Sequence, residues 1–245
     1  MAAGVTEAPR YGISRGAFLS VGVTSLIKHY TWLMAIMTLV SLSAAADTIY
    51  QTTAQGKQVV IQRSAIVIQN DSTSLTYKHF DLSERRVVKV TLRKGMLPYQ
   101  VSTSTPVERQ EIVQSWKRFS YRAMVTDQTG KSTVLFNLYL DFYPPGGRGS
   151  LLESVPPRTT LPVLLDQGGA DDVDFSKIDR IIFQGARLKL AMRDGQVVDG
   201  RFLMPTDKPA EVRVLGMTDR YDPSSAEVFD FFLPLAKLNE LRFDR

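Results

Sequence analysis

The chain has no cysteine in its 245 residues. That absence excludes disulfides, thiolate metal sites, a cysteine nucleophile and the acylated cysteine of a bacterial lipoprotein. Histidine is nearly absent too, with His29 near the amino terminus and His79 further on. A zinc site of three histidines cannot be built from two. A serine triad would have to use His79, and no Gly-x-Ser-x-Gly elbow accompanies it. Long runs of one charge sign are also missing. The net charge of +5 comes from intermixed acids and bases, as in Ser83-Glu84-Arg85-Arg86, so no basic stripe interleaved with aromatics marks a nucleic-acid partner. Gly146-Gly147-Arg148-Gly149 lacks the lysine-serine ending and following helix of a phosphate loop. No other cofactor motif stands out, and none is expected to be bound.

What is present begins with a leader. Residues Thr31–Ala46, TWLMAIMTLVSLSAAA, form an apolar run after Lys28 and His29 that ends in small residues. A positive flank, an apolar core and Ala44-x-Ala46 together make a secretory signal over 1–46, cut after Ala46. A second apolar stretch, Gly16–Ile27, precedes Lys28. A bilayer-spanning helix needs about 20 apolar residues, and Lys28 interrupts the run before either half reaches that length. The expected location is therefore periplasmic or secreted. A membrane-tethered subunit with an uncleaved leader is the alternative.

The mature chain, roughly 200 residues long, can bury a core without disulfides. Gln58–Gln69, Leu75–Phe80 and Arg86–Arg93 are rich in β-branched residues and separated by turn-formers, which predicts antiparallel strands. Thr105-Pro106-Val107-Glu108 joins an N-cap, a first-turn proline and a capping-box glutamate, predicting a helix over about 105–119 with Trp116 inward. A hairpin follows, Tyr121–Val125 and Ser132–Tyr143 about the turn Asp127–Lys131. On its second strand Val134, Phe136, Leu138, Leu140 and Phe142 form a core face, and Leu135, Asn137, Tyr139, Asp141 and Tyr143 a half-wet one. Residues 47–143 thus read as an amino-terminal β domain with one helix. Proline and glycine between Pro144 and Pro157, then the acidic Asp166–Asp174 loop, mark 144–172 as a linker.

Residues 173–245 carry a short internal repeat. FSKIDRIIF at Phe175–Phe183 and LAKLNELRF at Leu235–Phe243 share one pattern of apolar residues, lysine and a closing phenylalanine. Between them LKLAMRDGQVVDGRFLM turns on Asp194-Gly195, and strands are expected at Glu211–Met217 and Glu227–Leu233. That hairpin resembles the leucine, leucine, aspartate-glycine, glycine hairpin of Sm-like and SH3-like small barrels. The resemblance covers about Phe175–Phe243. It implies a small β-barrel in which Gly200 lets a strand bend sharply, and it carries no function. The expected class is mainly β: an antiparallel β domain followed by a small SH3/Sm-like barrel.

Asp166, Asp171, Asp172 and Asp174, with Gly168 and Gly169, are the one compact carboxylate cluster and the candidate calcium ligands; a solvated loop with Asp174 capping the next turn is the plainer reading. Asp141, Asp230 and Glu153 are carboxylates beside apolar residues that a carbohydrate-acting hydrolase could pair. Phe142, Tyr143, Phe229 and Phe231 put large rings on both faces of strands, which calls for contact between domains or a partner surface. The catalytic inventory is thin while β edges and aromatics are plentiful. The sequence therefore points to an exported, non-catalytic module that binds an envelope protein or a surface polymer.

Overall fold

The computed structural model describes residues 46–95, 98–145 and 155–244. The expected signal segment apart from Ala46, the Gly146–Gly149 run and Glu153 lie outside the described residues. No helix among the described residues is long and apolar enough to cross a membrane.

The protein is mainly β, as expected, with two antiparallel sheets and one α-helix among the described residues. The first sheet holds β1 (Asp47–Thr52), β2 (Gln58–Asn70), β3 (Ser74–Asp81), β4 (Arg86–Arg93) and β5 (Tyr99–Ser102), in the order β4-β3-β2-β1-β5. Ser64, at φ 54°, interrupts the thirteen-residue β2. The half before it pairs with β1, and pairing with β3 starts only at Ile66. Helix α1 (Pro106–Phe119) starts where the sequence places it, with the Glu108 amide donating to Thr105 Oγ1 at 3.3 Å and the Thr105 amide donating to Glu108 Oε2 at 2.6 Å. Asp47 ties the helix start to the sheet. Fully buried, it accepts from the Ser104 amide and hydroxyl at 2.5 and 2.6 Å and from the Val67 amide at 2.7 Å.

The second sheet has ten strands: β6 (Ala123–Asp127), β7 (Ser132–Tyr143), β8 (Thr160–Leu165), β9 (Ala170–Asp174), β10 (Ile178–Gln184), β11 (Arg187–Met192), β12 (Val197–Phe202), β13 (Glu211–Met217), β14 (Phe231–Pro234) and β15 (Leu238–Phe243). Their order is β14-β13-β7-β6-β15-β10-β11-β12-β8-β9. The sheet curls into a half-barrel around one continuous core that runs from Ala123 and Leu138 through Phe175 and Ile181 to Val214 and Leu241.

The order is symmetric about its middle. Outward from β10 come a hairpin (β11, β12) and then a second hairpin (β8, β9); outward from β15 come β6, β7 and then β13, β14. Each outer hairpin feeds the central strand of its own half through a short 3-10 turn, Phe175–Lys177 before β10 and Leu235–Lys237 before β15. These turns and strands are the two copies of the sequence repeat, and they pair antiparallel with Ile181 opposite Leu241, the same position of each copy. The two copies thus occupy equivalent places in the sheet, although β11 and β12 follow the first copy in the chain whereas β6 and β7 precede the second.

Three expectations change. The 144–172 stretch does not separate sheets: β7 before it pairs with β13 after it, and β8 continues the same sheet through β12. The chain leaves the first sheet at β5, and Ala44–Arg245 forms a single compact unit. The acidic segment Asp166–Asp174 is a hairpin, with Asp171, Asp172 and Asp174 on β9. Finally, β7 is not half wet: from Leu135 to Tyr143 every residue is buried, because the half-barrel core covers one face and α1 with the first sheet covers the other. Its alternation also breaks. Asn137 takes φ 53° and resets the pleat, so Leu135 joins Leu138, Leu140 and Phe142 in one core while Phe136 joins Tyr139 and Tyr143 in the other.

Gly200 lies where β12 meets β8. A Cβ there would come within 2.7 Å of the Leu164 carbonyl oxygen and 2.8 Å of a Val163 methyl, so glycine allows the close approach of these strands. The expected strand over Glu227–Leu233 forms only from Phe231. The residues before it belong to the Thr218–Asp230 segment, which Lys78 of β3 holds: its fully buried ammonium donates to Tyr221 Oη, the Pro223 carbonyl and the Ser225 carbonyl, each at 2.7 Å.

Candidate functional site

At the carboxy-terminal end of α1 the chain runs Lys117-Arg118-Phe119-Ser120-Tyr121-Arg122. Cations in the last helical turn are favoured by the unpaired carbonyls there. Ser120 closes the helix, its amide donating to the Trp116 carbonyl at 2.9 Å and its hydroxyl accepting from the Asn137 amide at 2.9 Å. This fixes the direction in which the next residues leave. Tyr121 turns inward and is buried, while Arg118 and Arg122 remain exposed.

Three turns close around this end. The β3–β4 turn is organised by Asp81 Oδ1, which accepts from the Ser83 amide at 2.8 Å and the Ser83 hydroxyl at 2.6 Å. It delivers Arg85 at φ 51°. A non-glycine residue in this region costs about 1 kcal/mol or more, and here it lays the guanidinium 4.4 Å from the Tyr121 ring centre. The turn after β9 brings Ser176, and the β11–β12 turn brings Arg193, whose Nε donates to the Ile178 carbonyl at 3.2 Å and whose Nη2 donates to the Asp244 carbonyl at 2.6 Å. Phe243 and Asp244 at the end of β15 complete the wall.

The result is an open recess of about 400 Å³ lined by Arg85, Lys117, Arg118, Arg122 and Arg193 against one carboxylate, Asp244. Two of the five cations are neutralised: Arg122 pairs with Asp244 at 2.9 Å and Lys117 with Asp219 at 2.8 Å. The Lys117 hydrogen bond and charge hold the Asp219 carboxyl below its usual range. None of Arg85, Arg118 and Arg193 forms an ion pair with a carboxylate among the described residues, although the Arg85 charge acts on Asp174 and helps to lower it. Beneath them the Tyr121 hydroxyl donates to Asp174 at 2.7 Å. Burial first, and then the Asp174 carboxylate, push the Tyr121 phenol up, so it stays protonated. Burial acts to raise Asp174, but hydrogen bonds from Ser176 and Tyr121 outweigh it and leave that carboxyl low. Guanidinium groups gathered over a neutral phenol, two of them held in place, are suited to holding an anion.

The sequence candidates fall elsewhere. Asp166 pairs with Arg187, Asp172 with Arg158 at 3.2 Å, and Asp171 accepts from the Asp172 amide. Asp174 caps the 3-10 turn by accepting from the Ser176 amide at 2.7 Å. No group of three or more acidic or histidine side chains able to hold a metal occurs among the described residues. Asp141 is buried on β7, whereas Asp230 accepts from the Thr218 amide and hydroxyl at 2.6 Å each. His79 lies on β3 beside the Tyr77 ring. Of the four rings considered for a partner surface, Phe142 and Tyr143 are buried in the two cores, while Phe229 and Phe231 are partly buried against them. The neighbouring ring, Phe232, is exposed at 56%.

A strand edge is open as well. Val59, Val60 and Ile61 sit on the half of β2 that pairs with β1 alone, and each is about 40% exposed. The recess went unread because its cations are scattered from position 85 to 193. The one local signal was Lys117–Arg122, basic residues interleaved with two aromatics. No protein-family model, curated protein or solved structure matches the chain.

Proposed function

We propose that the protein is an exported, non-catalytic interaction module that binds an anionic surface polymer in the recess at the end of α1. The observation that carries this reading is the convergence on one concavity of three guanidinium groups that form no ion pair with a carboxylate among the described residues. Cations outnumber the carboxylates Asp244 and Asp174 at the recess, an excess of like charge that costs stability and that a bound anion offsets. Export rests on the leader. Ala46 is 6% exposed and belongs to the core that holds Ile66 and Trp116, which favours a cut one residue earlier than the Ala44-x-Ala46 pattern suggests, after Ala45 with Ser43 three positions from the bond.

A second reading has its own observation. The uncharged Gln58–Gln62 edge offers unpaired main-chain groups beside three exposed β-branched residues, a surface that a partner protein's strand could extend. The first reading is favoured because the recess combines shape with charge.

Chromatography on immobilised polyanion separates the two. The purified protein is expected to bind and to elute with salt, whereas a variant carrying Arg85→Ser, Arg118→Ser and Arg193→Ser elutes at markedly lower salt. Equal retention of both proteins would rule out the recess as the binding surface.

A further inference from the structure

We infer that the recess recognises a diphosphate or closely spaced phosphate pair on its ligand, rather than negative charge in general. The inference rests on the polymer-binding reading above and deepens it. A guanidinium group presents a planar fork that engages two oxygens at once. Arg85, Arg118 and Arg193 therefore offer forks from three separate elements, the β3–β4 turn, the last turn of α1 and the β11–β12 turn, Arg193 through the Nη edge that its bonds to the Ile178 and Asp244 carbonyls leave over.

One carboxylate has two oxygens and can satisfy one fork. A single phosphate has three or four oxygens on one small centre, too few to give each of three forks two oxygens of its own. Two linked phosphoryl groups supply enough terminal oxygens and carry charge that offsets the excess of cations in the recess. Two of the three forks are fixed before any ligand arrives. Arg85 is stacked on Tyr121, and Arg193 is tethered to the Ile178 and Asp244 carbonyls. Arg118 is exposed and has no such tether. It is the fork that closes on the ligand. At about 400 Å³ the recess is in the size range of small-molecule sites and leaves space beside a diphosphate for the group that carries it.

Calorimetric titration of the purified protein with inorganic pyrophosphate, inorganic phosphate and citrate tests this, citrate being a trivalent anion with carboxylate geometry. Pyrophosphate is expected to bind about tenfold or more tightly than either of the others. Arg118→Gln, an exposed change with no tether to break, should remove most of that preference while the thermal midpoint stays put. Vesicles containing a lipid with a diphosphate headgroup, such as diacylglycerol pyrophosphate, form a separate arm: competition with pyrophosphate assigns the diphosphate to a lipid headgroup, and its absence to a soluble or polymer-borne one. Citrate binding as well as pyrophosphate overturns the diphosphate inference and leaves polyanion binding standing. If no small anion binds and the polyanion column also fails to retain the protein, both fall together.

Discussion

Replacing Lys78 with methionine is expected to destabilise the protein by about 3 kcal/mol, which lowers the melting temperature by about 6–12 °C for a domain of this size. The methionine fills most of the same volume but donates nothing. It leaves Tyr221 Oη and the Pro223 and Ser225 carbonyls without the ammonium each meets at 2.7 Å. Tyr221 in turn donates to the Glu227 carbonyl at 2.7 Å, so the lysine organises the whole Thr218–Asp230 segment. Amide exchange across that segment should accelerate more than elsewhere.

The pH dependence carries a separate signature. Burial pushes Lys78 down to about 8 from its ordinary 10.5, against the opposing pull of Asp222 and Glu227. Between those two values the unfolded chain binds more protons than the folded one, so the lysine's contribution to stability grows as pH rises through this window. Below about 8 both states are protonated, and the full cost of burying the charge is present. The gap between wild type and Lys78→Met should therefore widen from pH 8 towards 10. Burial raises Tyr139 and Tyr143, but those residues act in both proteins and cancel in the comparison. A methionine variant with unchanged melting and no such widening would remove the lysine from this role.

The second large effect is expected at Asn137. Its side chain accepts from the Val87 amide at 2.6 Å and donates to the Val228 carbonyl at 3.1 Å, and its own amide donates to Ser120 at 2.9 Å. One fully buried residue thus joins β4, the end of α1 and the segment before β14. Alanine would strand two buried backbone groups and would also occupy φ 53°, where its Cβ is disfavoured. Unsatisfied buried groups cost about 1–3 kcal/mol each and the left-handed conformation about 1–2, so Asn137→Ala should cost about 4 kcal/mol in denaturant melts. Asn137→Gly relieves the backbone term alone and should recover about 1 kcal/mol of that loss. Equal losses for the two variants would mean the backbone conformation stores no strain.

The strands, the helix and its capping box were legible because each depends on near neighbours: β-branched runs for β2 to β4, and Thr105 with Glu108 for α1. The repeat was legible for the same reason, as two nine-residue copies. What escaped depends on distant partners. The alternation along β7 reads as one core face and one wet face until Asn137 reverses the pleat and a second layer covers the other side. A proline and glycine stretch looks like a domain boundary whether it joins two domains or two strands of one curled sheet. The carboxylates that cluster in sequence at 166–174 are drawn apart by Arg158, Arg187, Tyr121 and Ser176, whereas the cations of the recess are apart in sequence and assembled by folding. Lys78 gave no signal at all. A lysine between tyrosine and histidine on a strand reads as solvent-facing, and its three acceptors lie more than a hundred residues away.

Hydrogen–deuterium exchange of the purified protein with and without a linear polyphosphate tests the central claim most directly, because it locates the bound surface without assuming it. The account predicts slowed exchange at Ser120–Arg122, at the β3–β4 turn around Arg85, and at the turns bearing Ser176 and Arg193. Protection confined to Gln58–Arg63, or no protection at the recess while the polymer is bound, would contradict it.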